Sequence, residues 1–267
     1  LVGSEMCIRD SDYEFTNFWR GPFDGYRDVL WTFQYGWSKY PMIPIDLYIH
    51  YYSAEKRASL EALKEVVRWI RNQKICPITT GEYVRMALDY LDAAIARRAD
   101  GGWLVRTGGH LRTVRFDFDD HIVDLARSKG VLGYCRRWGN LYVHLDEGKT
   151  HLVYLAPADS AFSFPPFVIE SGNVVEHWSH DPSTGEIHFR ARGFGSTDIW
   201  LAGLTPSRPY RIDSPGFRKS YFAETDSLGR LHVVVPIQGV ARLRISPSSR
   251  TSLAMNYGRY GILLIVI

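Results

Sequence analysis

The chain has 267 residues, which is enough for one large domain or two modest domains with a sizeable hydrophobic core. Its 32 lysines and arginines against 29 aspartates and glutamates give a net charge of +3, which is too balanced for a surface built to bind nucleic acid. Hydrophobic residues make up an ordinary 45%, and no apolar run in the sequence is long enough to span a bilayer.

Aromatic residues are abundant at 14% of the chain, with eight tryptophans and sixteen tyrosines. Such rings suit surfaces that stack against sugars, because pyranose rings present apolar C–H faces, although packing in the core and between strands accounts for most of them. The three cysteines, Cys7, Cys76 and Cys135, have no metal-binding spacing, and an odd number cannot pair completely. Cysteine content therefore does not identify the cellular compartment.

The N-terminal segment has few clear secondary-structure signals in its sequence. Residues 1–11 show no periodicity and resemble a non-native leader, so we leave them out of the fold prediction. Residues 12–22 are aromatic and rich in turn formers, and Trp19 within them is more readily explained as a packed loop residue than as a sugar platform. Residues 26–33 have helical spacing of their apolar side chains.

Residues 44–53, with the sequence Pro-Ile-Asp-Leu-Tyr-Ile-His-Tyr-Tyr-Ser, predict a β-strand that ends in a polar and aromatic cluster. Side chains alternate between the two faces of a strand. The apolar face consists of Ile45, Leu47 and Ile49, and the opposite face of Asp46, Tyr48, His50 and Tyr52. Residues 54–73 follow with helical periodicity, so the two segments predict a βα unit. In α/β barrels, catalytic residues lie at the C-terminal ends of strands, where His50 falls.

A second helix is predicted from Thr80 to about Arg98, with Thr80 as its N-cap and Glu82 assisting. Its inward-facing residues are expected to be Tyr83, Ala87, Tyr90, Leu91 and Ile95. The glycines at 101 and 102 end the pattern, and we place a domain boundary there. The predicted domains are residues 12–100, residues 101–247, and an uncertain tail at 248–267.

After Gly102 the sequence consists of short alternating runs separated by turn signals, and we find no helix of normal length and no internal repeat. This pattern predicts an antiparallel β-sandwich. The runs are residues 103–106, 111–118, 141–145, 152–155, 167–170, 174–178, 186–191, 198–202, 211–213, 231–236 and 240–246.

Three further groups of polar residues could carry chemistry. Residues 116–121, Phe-Asp-Phe-Asp-Asp-His, indicate a solvated turn, which we favour over a calcium site or a catalytic metal site. His177 and His180 would point to opposite faces of a strand, so joint metal binding would require a turn between them, and a polar loop is the simpler interpretation. His144 alternates with apolar neighbours and is expected on a sheet face with a hydrogen-bond partner.

Residues 44–63 resemble the NodB-like polysaccharide deacetylases, and in particular the Pel-type branch, in which a glycoside-hydrolase barrel is joined to a deacetylase barrel. Similar segments extend the resemblance from about residue 15 to residue 245, which is the C-terminal part of such a protein. These segments are residues 16–23, 101–103, 111–115, 130–134 and 142–145.

The resemblance implies the last βα units of a NodB-type (β/α) barrel followed by the β-sandwich. It also implies removal of N-acetyl groups from an exopolysaccharide of N-acetylhexosamine, outside the cytoplasm in the periplasm or extracellular space, with the exopolysaccharide export machinery as a partner. A divalent metal, with zinc the expected ion, polarises the amide and activates water in this family, and a late histidine protonates the leaving amine. By resemblance that acid is His50, with Asp46 and Tyr48 as its neighbours and Trp19 and Tyr52 as sugar contacts.

The family's metal-binding motifs lie before the late histidine, yet no histidine precedes His50 here. Either the chain is a piece of a larger enzyme, which we favour, or the fold assignment fails. The metal ligands are then expected upstream, and the chain alone is expected to be inactive. Two rivals stay open: a carbohydrate-binding sandwich, and a sandwich that only supports the barrel. On the first, the sugar platforms would be Trp178, Trp200, Tyr210 and Tyr221.

Overall fold

A computed structural model of the chain describes residues 29–31, 33–34, 45–47, 49, 55, 57–73, 75–118, 120–160, 164–217 and 220–249. The chain divides into two compact units, Leu1–Ile75 and Cys76–Ile267, which are described separately below. None of the helices among these residues is long and apolar enough to cross a membrane.

The first unit contains helix α1, Arg57–Arg71, which confirms the predicted helix. Its inner face is formed by Ala62, Leu63 and Val66, whose spacing places them on one side of the helix. Residues 29–31 and 33–34 are also helical, and the ring of Phe33 stacks on Trp69 of α1 with centroids 6.1 Å apart. This small apolar contact packs the two helical segments of the unit together.

The strand predicted at residues 44–53 is wrong at its four described positions. Ile45, Asp46, Leu47 and Ile49 have irregular backbone, and Asp46 and Ile49 are exposed. Alternation of apolar and polar side chains is not sufficient for a strand, because backbone pairing with a neighbouring strand is also required.

The second unit begins with helix α2, Thr80–Asp92. Its N-cap is Thr79 rather than the predicted Thr80: the Thr79 hydroxyl accepts from the Glu82 N–H, and the Glu82 carboxylate accepts from the Thr79 N–H, which is a complete capping box. The helix ends six residues before the predicted Arg98, because residues 94–97 pair as a strand with residues 103–106. The domain boundary predicted at residues 100–102 therefore lies within this unit.

Fourteen strands follow in the described residues. They are β1 Ala94–Arg97, β2 Trp103–Arg106, β3 Thr113–Phe116, β4 His121–Val123, β5 Val131–Arg137, β6 Asn140–Leu145, β7 Thr150–Val153, β8 Leu155–Pro157, β9 Phe167–Ser171, β10 Val174–Asp181, β11 Glu186–Ala202, β12 Pro209–Asp213, β13 Tyr221–Glu224 and β14 Leu231–Pro247.

Of the predicted fold, the β-rich character of the chain after Gly102 is confirmed. Nine strands form one large curled sheet in the order β13-β12-β14-β11-β9-β5-β6-β3, with β10 pairing at the side of β11. A three-stranded sheet, β1-β2-β7, and a pair, β4-β8, complete the unit. All described pairings are antiparallel except β5 with β9, which is parallel at Gly133 and Val168. Gly133 permits this approach, because a Cβ atom there would lie 2.1 Å from the Val168 carbonyl oxygen.

The described residues of this unit form two apolar cores. The larger one lies on the inner face of β11 and β14, which run antiparallel from Ile187 opposite Ile245 to Leu201 opposite Leu231. The smaller one is centred on Leu141, Val143 and Leu145 of β6. Because side chains alternate along β11 and β14, every second residue is directed away from the larger core and onto an outer face.

Candidate functional site

The site predicted from the family resemblance falls mainly outside the described residues. His50, Trp19, Tyr48 and Tyr52 belong to that part of the chain, and only Asp46 is described, as an exposed residue of irregular backbone. Among the residues that the structure describes, no group of three or more His, Cys, Asp or Glu side chains could hold a metal ion.

The three other polar groups identified in the sequence make contacts that have a structural explanation. In the segment 116–121, His121 Nδ1 lies 2.6 Å from Asp120 Oδ1, in an exposed pair at the start of β4. His177 lies at a bulge of β10 with a φ of 52°, and its backbone N–H donates to Glu147 Oε1. His144 Nε2 donates to the Ile169 carbonyl oxygen over 2.8 Å, and burial lowers its pKa, so the predicted sheet-face histidine with a partner is confirmed.

The four aromatic residues predicted as sugar platforms lie in different surroundings. Tyr210 is only 2% exposed, and Trp178 packs against Phe189 and the larger core, so neither is a platform. Tyr221 is exposed and contacts Phe217 edge-on at 5.0 Å. Trp200 is half-buried on the outer face, and it lies in a depression of the surface with Glu224, Asp226 and Arg230.

Trp200 of β11 forms a stacked pair with His232 of β14. The two residues are directly opposite in the strand register, their ring centroids are 4.2 Å apart, and their planes differ by 8°. His232 Nε2 lies 2.6 Å from Asp198 Oδ1, two residues along β11 on the same outer face. This hydrogen bond fixes the imidazole orientation, and the imidazole in turn fixes the indole ring.

The first depression, of about 430 Å³, opens beside this stack. Its lining residues are Trp200, Glu224, Thr225, Asp226, Arg230 and His232. The turn before β14 positions the charged pair within it. Asp226 accepts from the backbone N–H groups of Leu228 and Arg230 and from the Arg230 guanidinium at 2.7 Å. These bonds, with the Arg230 backbone N–H first among them, lower the pKa of Asp226, so it is a carboxylate at neutral pH.

A larger cleft of about 760 Å³ lies next to the first depression. Tyr134 of β5 and Phe167 of β9 stack in its wall with centroids 5.0 Å apart and planes 5° from parallel, and Phe164 meets Phe167 edge-on at 6.0 Å. The Arg137 guanidinium pairs with the Glu170 carboxylate. Burial raises the pKa of Tyr134, so its phenol stays protonated and can donate a hydrogen bond.

The two hollows are neighbours. Arg230 lines both, and Trp200 in the first is the register partner of Glu170 in the second. Together they form one aromatic and charged surface across β14, β11, β9 and β5, which we call the outer groove. Planar rings flanked by fixed charged groups can stack on the C–H faces of a sugar and bind its hydroxyls.

A third cavity, of about 450 Å³, is lined by charged residues of α2, β10 and β11. Its arginines and carboxylates are largely paired with one another: Arg192 contacts Glu82 of α2, and lies 3.4 Å from Glu176 of β10. Arg112 donates to the Val175 carbonyl oxygen and lies 3.7 Å from Glu147, and burial lowers its pKa. These contacts join α2 to the sheet, so we interpret this cavity as structural.

Sequence reasoning identified Trp200 but missed Tyr134, Phe167 and Arg230. Tyr134 and Phe167 were predicted only as strand residues or family-like positions, and the turn at residues 226–229 before Arg230 indicates a loop but not a site. Comparison of the chain with family models, with curated proteins and with solved structures finds no match.

Proposed function

We propose that the protein acts on a polysaccharide of N-acetylhexosamine, as the C-terminal part of a metal-dependent polysaccharide deacetylase, and that the outer groove holds the polymer. The observation that carries this proposal is the Trp200–His232 stack with the Arg230–Asp226 pair beside it, since both groups are positioned by further contacts and both suit a sugar ring. A location in the periplasm or outside the cell, where exopolysaccharides are modified, belongs to the same proposal.

The chemistry that we propose is hydrolysis of the N-acetyl amide. In this proposal His50 protonates the amine as it leaves, and Asp46, Tyr48, Trp19 and Tyr52 surround the sugar. Support for these roles comes from the sequence resemblance of residues 44–63. By the same resemblance, the metal, with zinc the expected ion, would be bound by residues upstream of this chain.

Acetate release tests the proposed chemistry. N-acetylhexosamine oligomers with added zinc or cobalt are incubated with this chain, with a chain extended upstream to restore the barrel, and with the extended chain carrying His50→Ala. We expect acetate from the extended chain alone. Equal activity in the His50→Ala variant would contradict the role of His50, and zinc-dependent release by the 267-residue chain would contradict the expectation that its ligands lie upstream.

A second candidate, a carbohydrate-binding unit without chemistry of its own, is favoured by the position of the outer groove, which lies wholly within the unit Cys76–Ile267. On this candidate, polymer binding persists while the extended chain releases no acetate. A purely supporting role for the unit predicts neither binding nor any effect of Trp200→Ala beyond stability.

A further inference from the structure

We propose that the outer groove binds one extended, uncharged oligosaccharide that crosses both hollows, stacking on Trp200 at one end and on the half-buried rings of Tyr134 and Phe164 at the other. This inference rests on the proposed function, because it specifies which form of sugar the same surface takes. The contact that links the two ends is Arg230, whose guanidinium borders both hollows.

The length of the groove favours a chain of sugars over a single ring. The sheet order places β14, β11, β9 and β5 side by side, and residues of all four strands line the two hollows. At the usual spacing of neighbouring strands, three steps cover about 14 Å. The combined volume of the two hollows also exceeds what a single ring can fill, since typical small-ligand sites occupy several hundred Å³. A monosaccharide would leave one of the two aromatic ends without a contact.

The charges of the groove favour an uncharged ligand. The lining contains the arginines Arg136, Arg137 and Arg230 and the carboxylates Glu170, Glu224 and Asp226. These balance, and two pairs, Arg137 with Glu170 and Arg230 with Asp226, are already formed. An ionic ligand would have to compete with these pairs. Sugar hydroxyl and amide groups, by contrast, can form hydrogen bonds with the carboxylate lone pairs and guanidinium N–H groups that are not used within the ion pairs.

The aromatic residues at the two ends are held by separate contacts. Trp200 stacks on His232, which is hydrogen-bonded to Asp198, whereas Tyr134 and Phe164 both pack on the buried Phe167. Substitution at one end therefore leaves the geometry of the other end intact. The two ends can be tested independently, and their joint effect on a ligand reports whether one ligand reaches both.

The test is a calorimetric titration of the full 267-residue chain with N-acetylglucosamine oligomers of one to six rings. We expect the affinity to rise by about tenfold or more between the monomer and the tetramer, because the tetramer can stack on both ends whereas the monomer can stack on only one. Glucosamine tetramer, which is cationic, serves as the charged comparison and should bind more weakly than the uncharged tetramer.

Two variants locate the ends, and a third is the matched control. Trp200→Ala and Phe164→Ala should each lower the affinity for the tetramer by about tenfold while changing the affinity for the monomer much less. Phe194→Ala removes an exposed aromatic of the same strand as Trp200, outside both hollows, and should leave every affinity unchanged. Thermal melting of each variant establishes that it is folded, and if Trp200→Ala unfolds, Phe164→Ala decides the question.

The outcomes separate this inference from the proposed function. If monomer and tetramer bind equally and only Trp200→Ala weakens them, the groove still binds sugar but the extended ligand is overturned. Tighter binding of the cationic tetramer overturns the uncharged ligand in the same way. If no oligomer of any length binds, the role of the outer groove in the proposed function fails together with this inference, whereas acetate release by the extended chain is unaffected.

Discussion

Helix α2 and strand β14 both have a regular apolar pattern in the sequence, yet only in β14 does that pattern correspond to buried residues in the structure. Along β14, buried and exposed residues alternate from Leu231 to Gln238, and the buried set forms the larger core. In α2 the apolar residues that were expected to face inward are exposed, with Leu91 at 75%. The buried residue of this helix is instead a carboxylate, Asp89.

Asp89 attaches α2 to the loop before β3. Its carboxylate accepts from the backbone N–H groups of Gly108, His110 and Leu111, the last two over 2.7 Å. Burial alone would raise the pKa of Asp89, but the three N–H groups together lower it below its ordinary value. The comparison teaches that apolar periodicity predicts burial only where another apolar surface is available, and that a helix can be held by a polar contact.

The largest loss of stability is expected for a substitution in β14. Leu243→Ala should lower the free energy of unfolding by about 3 kcal/mol, because the side chain is 2% exposed within the larger core and its removal leaves a cavity. Val234→Ala, at a position of the same strand that is 50% exposed, is the matched control and should cost less than about 1 kcal/mol. Urea unfolding measures both, and equal costs would show that the two faces of β14 are not distinguished as described.

The next effect is expected at the polar attachment of α2. Asp89→Ala should cost about 2 kcal/mol, since it leaves three backbone N–H groups without their charged acceptor. Asp92→Ala, an exposed carboxylate at the end of the same helix, provides the control and should change the urea midpoint little. A negligible effect of Asp89→Ala would mean that these bonds do not hold the helix.

The pH dependence of the same contact is expected to be smaller. A carboxyl group whose pKa is lowered by folding contributes stability above its unfolded pKa, and this contribution is lost as the pH falls through the folded pKa. The stability advantage of the native chain over Asp89→Asn should therefore be constant from pH 7 to about pH 5 and shrink below about pH 4. Urea midpoints at several pH values measure it. An advantage that grows on acidification would have the opposite sign to the one expected.

The smallest effect is expected on the exposed face of α2. Leu91→Ser should change the free energy of unfolding by no more than about 0.5 kcal/mol, because the leucine side chain is already largely in solvent. The measurement is again the urea midpoint, compared with Asp89→Ala in the same helix. A loss as large as that of Asp89→Ala would show that the apolar face, and not the carboxylate, attaches the helix.

Much of the β-rich unit could be predicted, because period-two alternation is a local property. The predicted breaks between strands were less accurate. The sequence predicts two separate runs, residues 186–191 and 198–202, where the structure has the single strand β11. Pairing with β14, where Gly193 lies opposite Gly239, carries the strand through. A propensity that disfavours a strand locally was outweighed by hydrogen bonding to a distant segment.

The helix prediction failed at its end for the same reason. Residues 94–97 continue the apolar spacing of α2, but the turn at residues 98–102 lets them pair with residues 103–106 as a hairpin. The outer groove was beyond sequence reasoning as a whole. It brings Tyr134, Phe167 and Arg230 together through the parallel pairing of β5 with β9 and the long pairing of β11 with β14. Neither pairing leaves a local signal in the chain.

The most direct test of sugar binding on the outer groove follows the tryptophan indole N–H signals by NMR during titration with N-acetylglucosamine tetramer. The Trp200 signal is assigned by its loss in Trp200→Phe, and Trp103, which packs against Phe116 beside the smaller core, is the internal reference. We predict a saturable shift of the Trp200 signal with no movement of the Trp103 signal. A Trp200 signal that stays fixed while the tetramer binds elsewhere on the protein would contradict the groove as the sugar-binding surface.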